Sequence, residues 1–182
     1  MQREGENGWH IIVVEDSAAD TDDAELRTDA AEAVQHALQN LAAERAESKA
    51  DVQVGALPTV ATPAIALIQI FQNLLSNAIK FCGEKPPRIE IGAESSSDQR
   101  EWTFTVRDHG IGIPEDQLER VFMLFQRLNN RQRFPGNGLG LPMARKLVER
   151  YGGRMWAESV SQGGTRVSFT LPAADTLMPQ AS

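Results

Sequence analysis

The chain has 182 residues, of which 41% are hydrophobic and 24% charged, with a formal net charge of −7. That balance sets aside intrinsic disorder, and the length suits one domain with a real core. An acidic chain is a poor general nucleic-acid binder, no apolar run reaches membrane-spanning length, and the polar, acidic N-terminus is unlike a signal peptide.

A single cysteine, Cys82, leaves no internal disulfide and fits a reducing compartment. The three histidines, His10, His36 and His109, are far apart, so zinc spacing is lacking. Charge is unevenly placed. Residues 1–51 carry thirteen acids against four bases, whereas residues 114–150 carry seven bases against four acids. A basic stretch beside glycine-rich sequence points to a phosphate-bearing small ligand.

From the N-terminus, Trp9 to Val14 forms a short apolar run closed by Glu15-Asp16. It is similar to a receiver domain's first strand, but too little chain follows for a receiver, so it is expected to be a lone strand fragment. The acidic segment from Asp20 to Asp29 reads as a linker or solvated helix start. Asp29 to Ser48 places Ala33, Val34, Ala37, Leu38, Leu41 and Ala42 on one side and predicts a helix. Val52 to Leu57 alternates as a strand, closed by Pro58.

The next helix organises the chain. Thr62 is expected to cap it, with Pro63 in its first turn. Ile68, Phe71, Leu75 and Ile79 supply an apolar face, while Gln69, Asn73, Asn77 and Lys80 line a second face. Two amides one turn apart, followed by an ammonium, suit a hard cation and a phosphate; the plain alternative is a solvated face.

After the break at Lys85-Pro86-Pro87, strands are expected at Arg88–Ala93 and at Glu101–Asp108, the latter with Trp102, Phe104 and Val106 on one face. Asp108-His-Gly-Ile-Gly-Ile113 leaves that strand directly. Its glycines permit close approach of a ligand, and Asp108 is placed to accept a hydrogen bond from a donor such as an exocyclic amine. Short helical pieces around Gln117 and Val121–Phe125 precede a polar, breaker-rich lid at residues 128–137.

Gly136-Asn-Gly-Leu-Gly-Leu141 opens a helix that runs to Tyr151 and stops at Gly152-Gly153. Such a loop offers free N–H groups to anions, yet it is neither a P-loop nor a dinucleotide fingerprint. Arg154–Ser159 and Thr165–Leu171 are the last strands, joined at Gln162-Gly163-Gly164, and residues 173–182 form a tail.

The order of these boxes resembles the catalytic, ATP-binding domain of sensor histidine kinases, in the wider family shared with gyrase, heat-shock chaperones and mismatch-repair ATPases. The resemblance covers about residues 29–172, with residues 1–28 outside it. The wording from the lid to Gly153 is similar to that of phytochrome-linked kinases. It implies an α/β two-layer sandwich: a mixed five-stranded sheet covered by about three helices, with an ATP lid, the nucleotide lying on the helix side.

It also implies ATP and Mg2+ as ligands, with Asn77 on the metal and Asn73 beside it. Lys80 and Arg127 would meet phosphate, and Asp108 the adenine amino group, with Gly110 and Gly112 giving the ring access. Phe122 and Phe125 would anchor the lid, Gly136, Gly138, Leu139 and Gly140 wrap the phosphates, and Thr165 close the pocket floor.

Hydrolysing relatives carry a glutamate where this chain has Asn73, which cannot take a proton, so transfer is expected over hydrolysis. Asn73, Lys80 and Arg127 are the expected catalytic set. The acceptor histidine, on a dimerisation hairpin, is expected outside this chain, with a response regulator as the further partner and the cytoplasm as the setting. The alternatives are an anti-sigma-type serine kinase and a non-catalytic nucleotide-binding module.

Overall fold

The computed structural model describes residues 26–123, 138–161 and 163–174. The strand expected at Trp9–Val14, most of the lid and the tail from residue 175 lie outside them. Seven strands and four α-helices are present among the described residues: β1 (Arg27–Asp29), α1 (Ala30–Asn40), α2 (Ala42–Ser48), β2 (Asp51–Val54), β3 (Thr59–Ala61), α3 (Ala64–Lys80), β4 (Arg88–Ser95), β5 (Glu101–Asp108), α4 (Gly140–Arg150), β6 (Met155–Ser159) and β7 (Thr165–Pro172).

The main sheet has the order β2-β4-β5-β7-β6. Only β2 runs parallel to its neighbour; the other three pairings are antiparallel. The mixed five-stranded α/β sandwich implied by the sequence is therefore the fold observed.

Strand alternation puts Ile89 and Ile91 of β4, Phe104 and Val106 of β5, and Val167, Phe169 and Leu171 of β7 in the core, beneath α3. Phe104 and Phe169 stack with centroids 5.0 Å apart, and Phe71 of α3 meets their rings edge-on at 5.8 and 5.6 Å. This trio joins helix layer to sheet. On α3 the expected Phe71, Leu75 and Ile79 are buried, joined by Leu67, Ile70, Leu74 and Ala78; Ile68 is half-buried.

Four local expectations are corrected. The helix read as one piece over Asp29–Ser48 breaks at buried Leu41, whose backbone (φ −102°, ψ 16°) leaves the helical region. Asp29 caps the first piece, its Oδ1 accepting from the Ala31 N–H at 2.7 Å.

The strand expected over Val52–Leu57 ends at Val54, and Thr59–Ala61 forms a separate strand against Arg27–Asp29, which is strand rather than linker. The Ala30 N–H donates to the Pro58 carbonyl at 3.0 Å and holds this ribbon together.

Thr62 does not cap α3. The N-cap is Pro63, and the buried Thr62 hydroxyl has no partner among the described residues. Its carbonyl instead accepts from Thr28 Oγ1 at 2.6 Å, which ties it to the ribbon.

Candidate functional site

At the end of β5 stands Asp108, whose alternation with Arg107 turns its carboxylate to the helix side of the sheet. Its Oδ1 accepts two backbone hydrogen bonds, from the Gly110 N–H at 2.8 Å and the Thr165 N–H at 3.2 Å. Burial pushes its carboxyl above the ordinary aspartate range, and these two amides pull it partway back. The Thr165 amide thus holds Asp108 from the neighbouring strand.

Two glycines make that corner possible. A Cβ on Gly110 would overlap the Phe81 carbonyl oxygen, which already accepts from the Ile111 N–H at 2.9 Å. A Cβ on Gly164, where φ is +89°, would overlap the carbonyl oxygen of Asp108 itself. The sequence suggested only a turn at Gly163-Gly164; its use as the backbone that closes over Asp108 depends on strand pairing 57 residues apart.

The second half of the site is the polar row on α3. Asn73, Asn77 and Lys80 are half-buried, while Gln69, one turn earlier, is exposed. What shelters the row is the start of α4. A side chain begun at Gly140 would stand 3.4 Å from Asn77 Nδ2 and 3.5 Å from Asn73 Oδ1.

Leu139 is the N-cap of α4 and supplies no side-chain cap, and Gly138 before it takes a left-handed φ of +68°. The first turn of α4, with its outward-pointing N–H groups and positive dipole end, is brought against two amides. Lys80 lies in the last turn of α3, its Nζ 5.0 Å from the centre of the Phe81 ring.

Phe122 ends a short 3-10 turn over Arg120–Phe122 and is buried against α4. Arg145 of α4 lies over its ring at 4.9 Å and pairs with Glu119 and Glu149 at 3.3 and 3.1 Å. Phe125, Arg127 and Gly136 lie outside the described residues. Gly112 (φ +75°) approaches the Gly164 backbone and belongs to the Asp108 corner.

The arrangement joins an acceptor for a donor group, a row of amides ending in an ammonium, and a helix N-terminus with no side-chain cap among the described residues. That combination suits a ligand with a hydrogen-bonding base at one end and phosphates at the other.

Known proteins resemble this chain in sequence and fold. Residues 62–175 match the family described as histidine kinase-, DNA gyrase B-, and HSP90-like ATPases. The phytochrome-like protein Cph1 of Synechocystis is 42% identical over 154 residues, which span 84% of this chain and 20% of that protein. Cyanobacterial phytochrome A of Nostoc is 44% identical over 145 residues, 80% of this chain and 19% of the relative.

The chain thus spans about a fifth of the length of these curated relatives. Among solved structures, the mycobacterial sensor histidine kinase MprB superposes with a TM-score of 0.68 at 25% identity, covering 80% of this chain and 95% of that one. On the family match, these relatives and the shared fold, the chain belongs to the histidine kinase-, DNA gyrase B- and HSP90-like ATPase family, as a domain of the sensor histidine kinase kind.

Proposed function

We propose that the chain binds ATP with magnesium and delivers the terminal phosphoryl group to a histidine on a dimerisation hairpin, within two-component signalling in the cytoplasm, with a response regulator downstream. The observation that carries this reading is the meeting of Asn73 and Asn77 with the N-terminus of α4 at Gly140. A Cβ at Gly140 would lie in van der Waals contact with both amides, so the first turn of α4, where helix N–H groups have no partner within the helix, stands directly against them.

The residues present fit both ligands. Asn77 would hold the metal through its amide oxygen, with Asn73 beside it, which suits a hard cation. Magnesium supplies neutralisation of phosphate charge when bound. Asp108 orients the base by accepting from its amino group, held for this by Gly110 and Thr165. Lys80 offsets phosphate charge, and the α4 amides bind phosphate oxygens.

Arg127, Gly136 and Phe125 join the site from the lid in this reading. Phosphoryl transfer asks mainly for positioning and electrostatic stabilisation, so no protein nucleophile is needed. Asn73, which cannot accept a proton, leaves water without a general base, and an imidazole acceptor needs none because its neutral form is already nucleophilic.

The test combines binding with transfer. Asn77→Ala should weaken magnesium-dependent ATP binding by on the order of 100-fold, the upper scale seen when a metal-orienting group is removed. Its unfolding free energy should stay within about 1 kcal/mol of the parent. Tight binding retained by that variant would remove the site assignment. For transfer, the parent with labelled ATP and a dimerisation hairpin from a cyanobacterial phytochrome relative should place acid-labile label on the hairpin. Acid-stable label on a protein serine would select the serine-kinase alternative, and binding without transfer the non-catalytic one.

A further inference from the structure

On the face of the sheet opposite Asp108, a carboxylate, two guanidinium groups and an imidazole converge. Strand alternation sends Arg107 and His109 to this outer face, and the pairing of Glu90 with Arg107 brings Glu90 beside them. His109 Nε2 lies 3.1 Å from Glu90 Oε1. The same oxygen is 3.3 Å from Arg88 Nη2, and Glu90 Oε2 is 3.9 Å from Arg107 Nη1. The His109 N–H also donates to the Arg88 carbonyl at 3.2 Å. The turn that follows Asp108 is therefore pinned to β4 by both backbone and ring, while Ile111 pins it to Phe81 on the other side.

We propose that Glu90 and His109 are a positioning pair, which holds the Asp108 turn in register for the nucleotide base and makes nucleotide affinity depend on the charge of the His109 ring. The proposal rests on the nucleotide-binding reading above. A protonated ring forms an ion pair with Glu90; a neutral one keeps at most a hydrogen bond in one tautomer. Arg88 and Arg107 act the other way, competing for the same carboxylate and repelling the imidazolium.

Beyond them, Asp51 of β2 stands in register with Arg88, and Arg166 of β7 with Arg107. The hydrogen bond to His109, helped by the charges of His109, Arg107 and Arg88, holds the Glu90 carboxyl below its ordinary range. Glu90 therefore remains anionic throughout the range probed below. Asp108 follows because its α-carbon is bonded to the very peptide that His109 fixes. The pair is part-exposed, with side chains 29% and 34% accessible, which limits the effect.

The experiment is the affinity for ATP with magnesium, measured from pH ~5 to ~8, the range in which imidazole titrates. It is run on the parent, Glu90→Gln and His109→Gln. The nucleotide's own phosphate titration is common to all three, so the readout is the ratio of parent to variant affinity.

That ratio should favour the parent by about three- to fivefold at the acid end and shrink toward one at the alkaline end, as expected of a part-exposed ion pair. A merely structural contact would lower affinity equally at every pH. A ratio that does not change with pH in either variant overturns the pair. Absence of binding by the parent at every pH overturns the nucleotide reading and this proposal with it.

Discussion

Four residues apart on β5, Phe104 and Asp108 occupy opposite regimes. Phe104 is fully buried, stacked on Phe169 and edge-on to Phe71, and its burial is favourable at every step. Asp108 is drawn into the same layer with a carboxylate that burial penalises, under glycines that give up side chains to let the backbone close. One end of the strand stabilises the fold, and the other holds a charged acceptor where solvation is poor. A rigid middle is what keeps the costly end in place, because β5 is flanked on both sides along its length by β4 and β7.

Breaking the apolar half should produce the largest effect. Phe104→Ala removes one ring of a trio in which each touches the other two, and about 3–5 kcal/mol of stability should be lost, as for other buried aromatic truncations. Against a total of about 5–15 kcal/mol for a domain, that leaves little reserve. Urea unfolding followed by tryptophan fluorescence measures it. A loss below about 1 kcal/mol would mean that neighbouring side chains collapse into the space and that the trio is not what joins helix to sheet.

At the Asp108 end, Gly164→Ala should cost less, about 2 kcal/mol, from a left-handed backbone and the overlap with the Asp108 carbonyl. Its distinguishing feature is location. Relief of the overlap must move either Asp108 or the Thr165 amide that holds it, so ATP affinity should fall further than the stability loss explains. A Gly164→Ala protein that unfolds and binds like the parent would mean that the turn shifts away without carrying Asp108, and the contrast between the two ends of β5 would lose its basis.

The two ends also differed in how far the sequence revealed them. Phe104 and Val106 stood out by alternation, and the Asn73–Asn77–Lys80 row by helical spacing, because both signals are local and periodic. The ribbon of Arg27–Asp29 and Thr59–Ala61 left no such trace: three-residue strands have no period, and their pairing joins residues far apart in the chain, such as Arg27 and Ala61.

The misplaced cap has the same origin. Thr62 carries a capping side chain, but its carbonyl is tied to the ribbon through Thr28, and the N-cap is Pro63. Gly164 and Glu90 were invisible as partners of the Asp108 turn, since each reaches it only through sheet register. The site was legible as a set of boxes, while what supports each box was not.

The smallest expected change in stability sharpens the comparison most. Asp108→Asn keeps an oxygen that can accept from the Gly110 and Thr165 amides but removes the charge. The folded parent holds the carboxyl proton more tightly than the unfolded chain does, because burial raises its pKa. Parent stability therefore declines as pH rises from the unfolded carboxyl's pKa through the folded one.

An uncharged amide escapes that decline. The variant should match the parent or exceed it by up to about 1 kcal/mol at neutral pH, with the advantage gone below about pH 4 where both carry no charge. ATP affinity should fall at least about tenfold nonetheless, since the amide can turn its NH2 toward a base that itself offers an amino group. Urea unfolding at both pH values, beside a binding titration, reads out the two effects separately. A variant less stable than the parent at neutral pH would mean that the folded site favours the carboxylate, and Asp108 would then belong to the stabilising regime of Phe104.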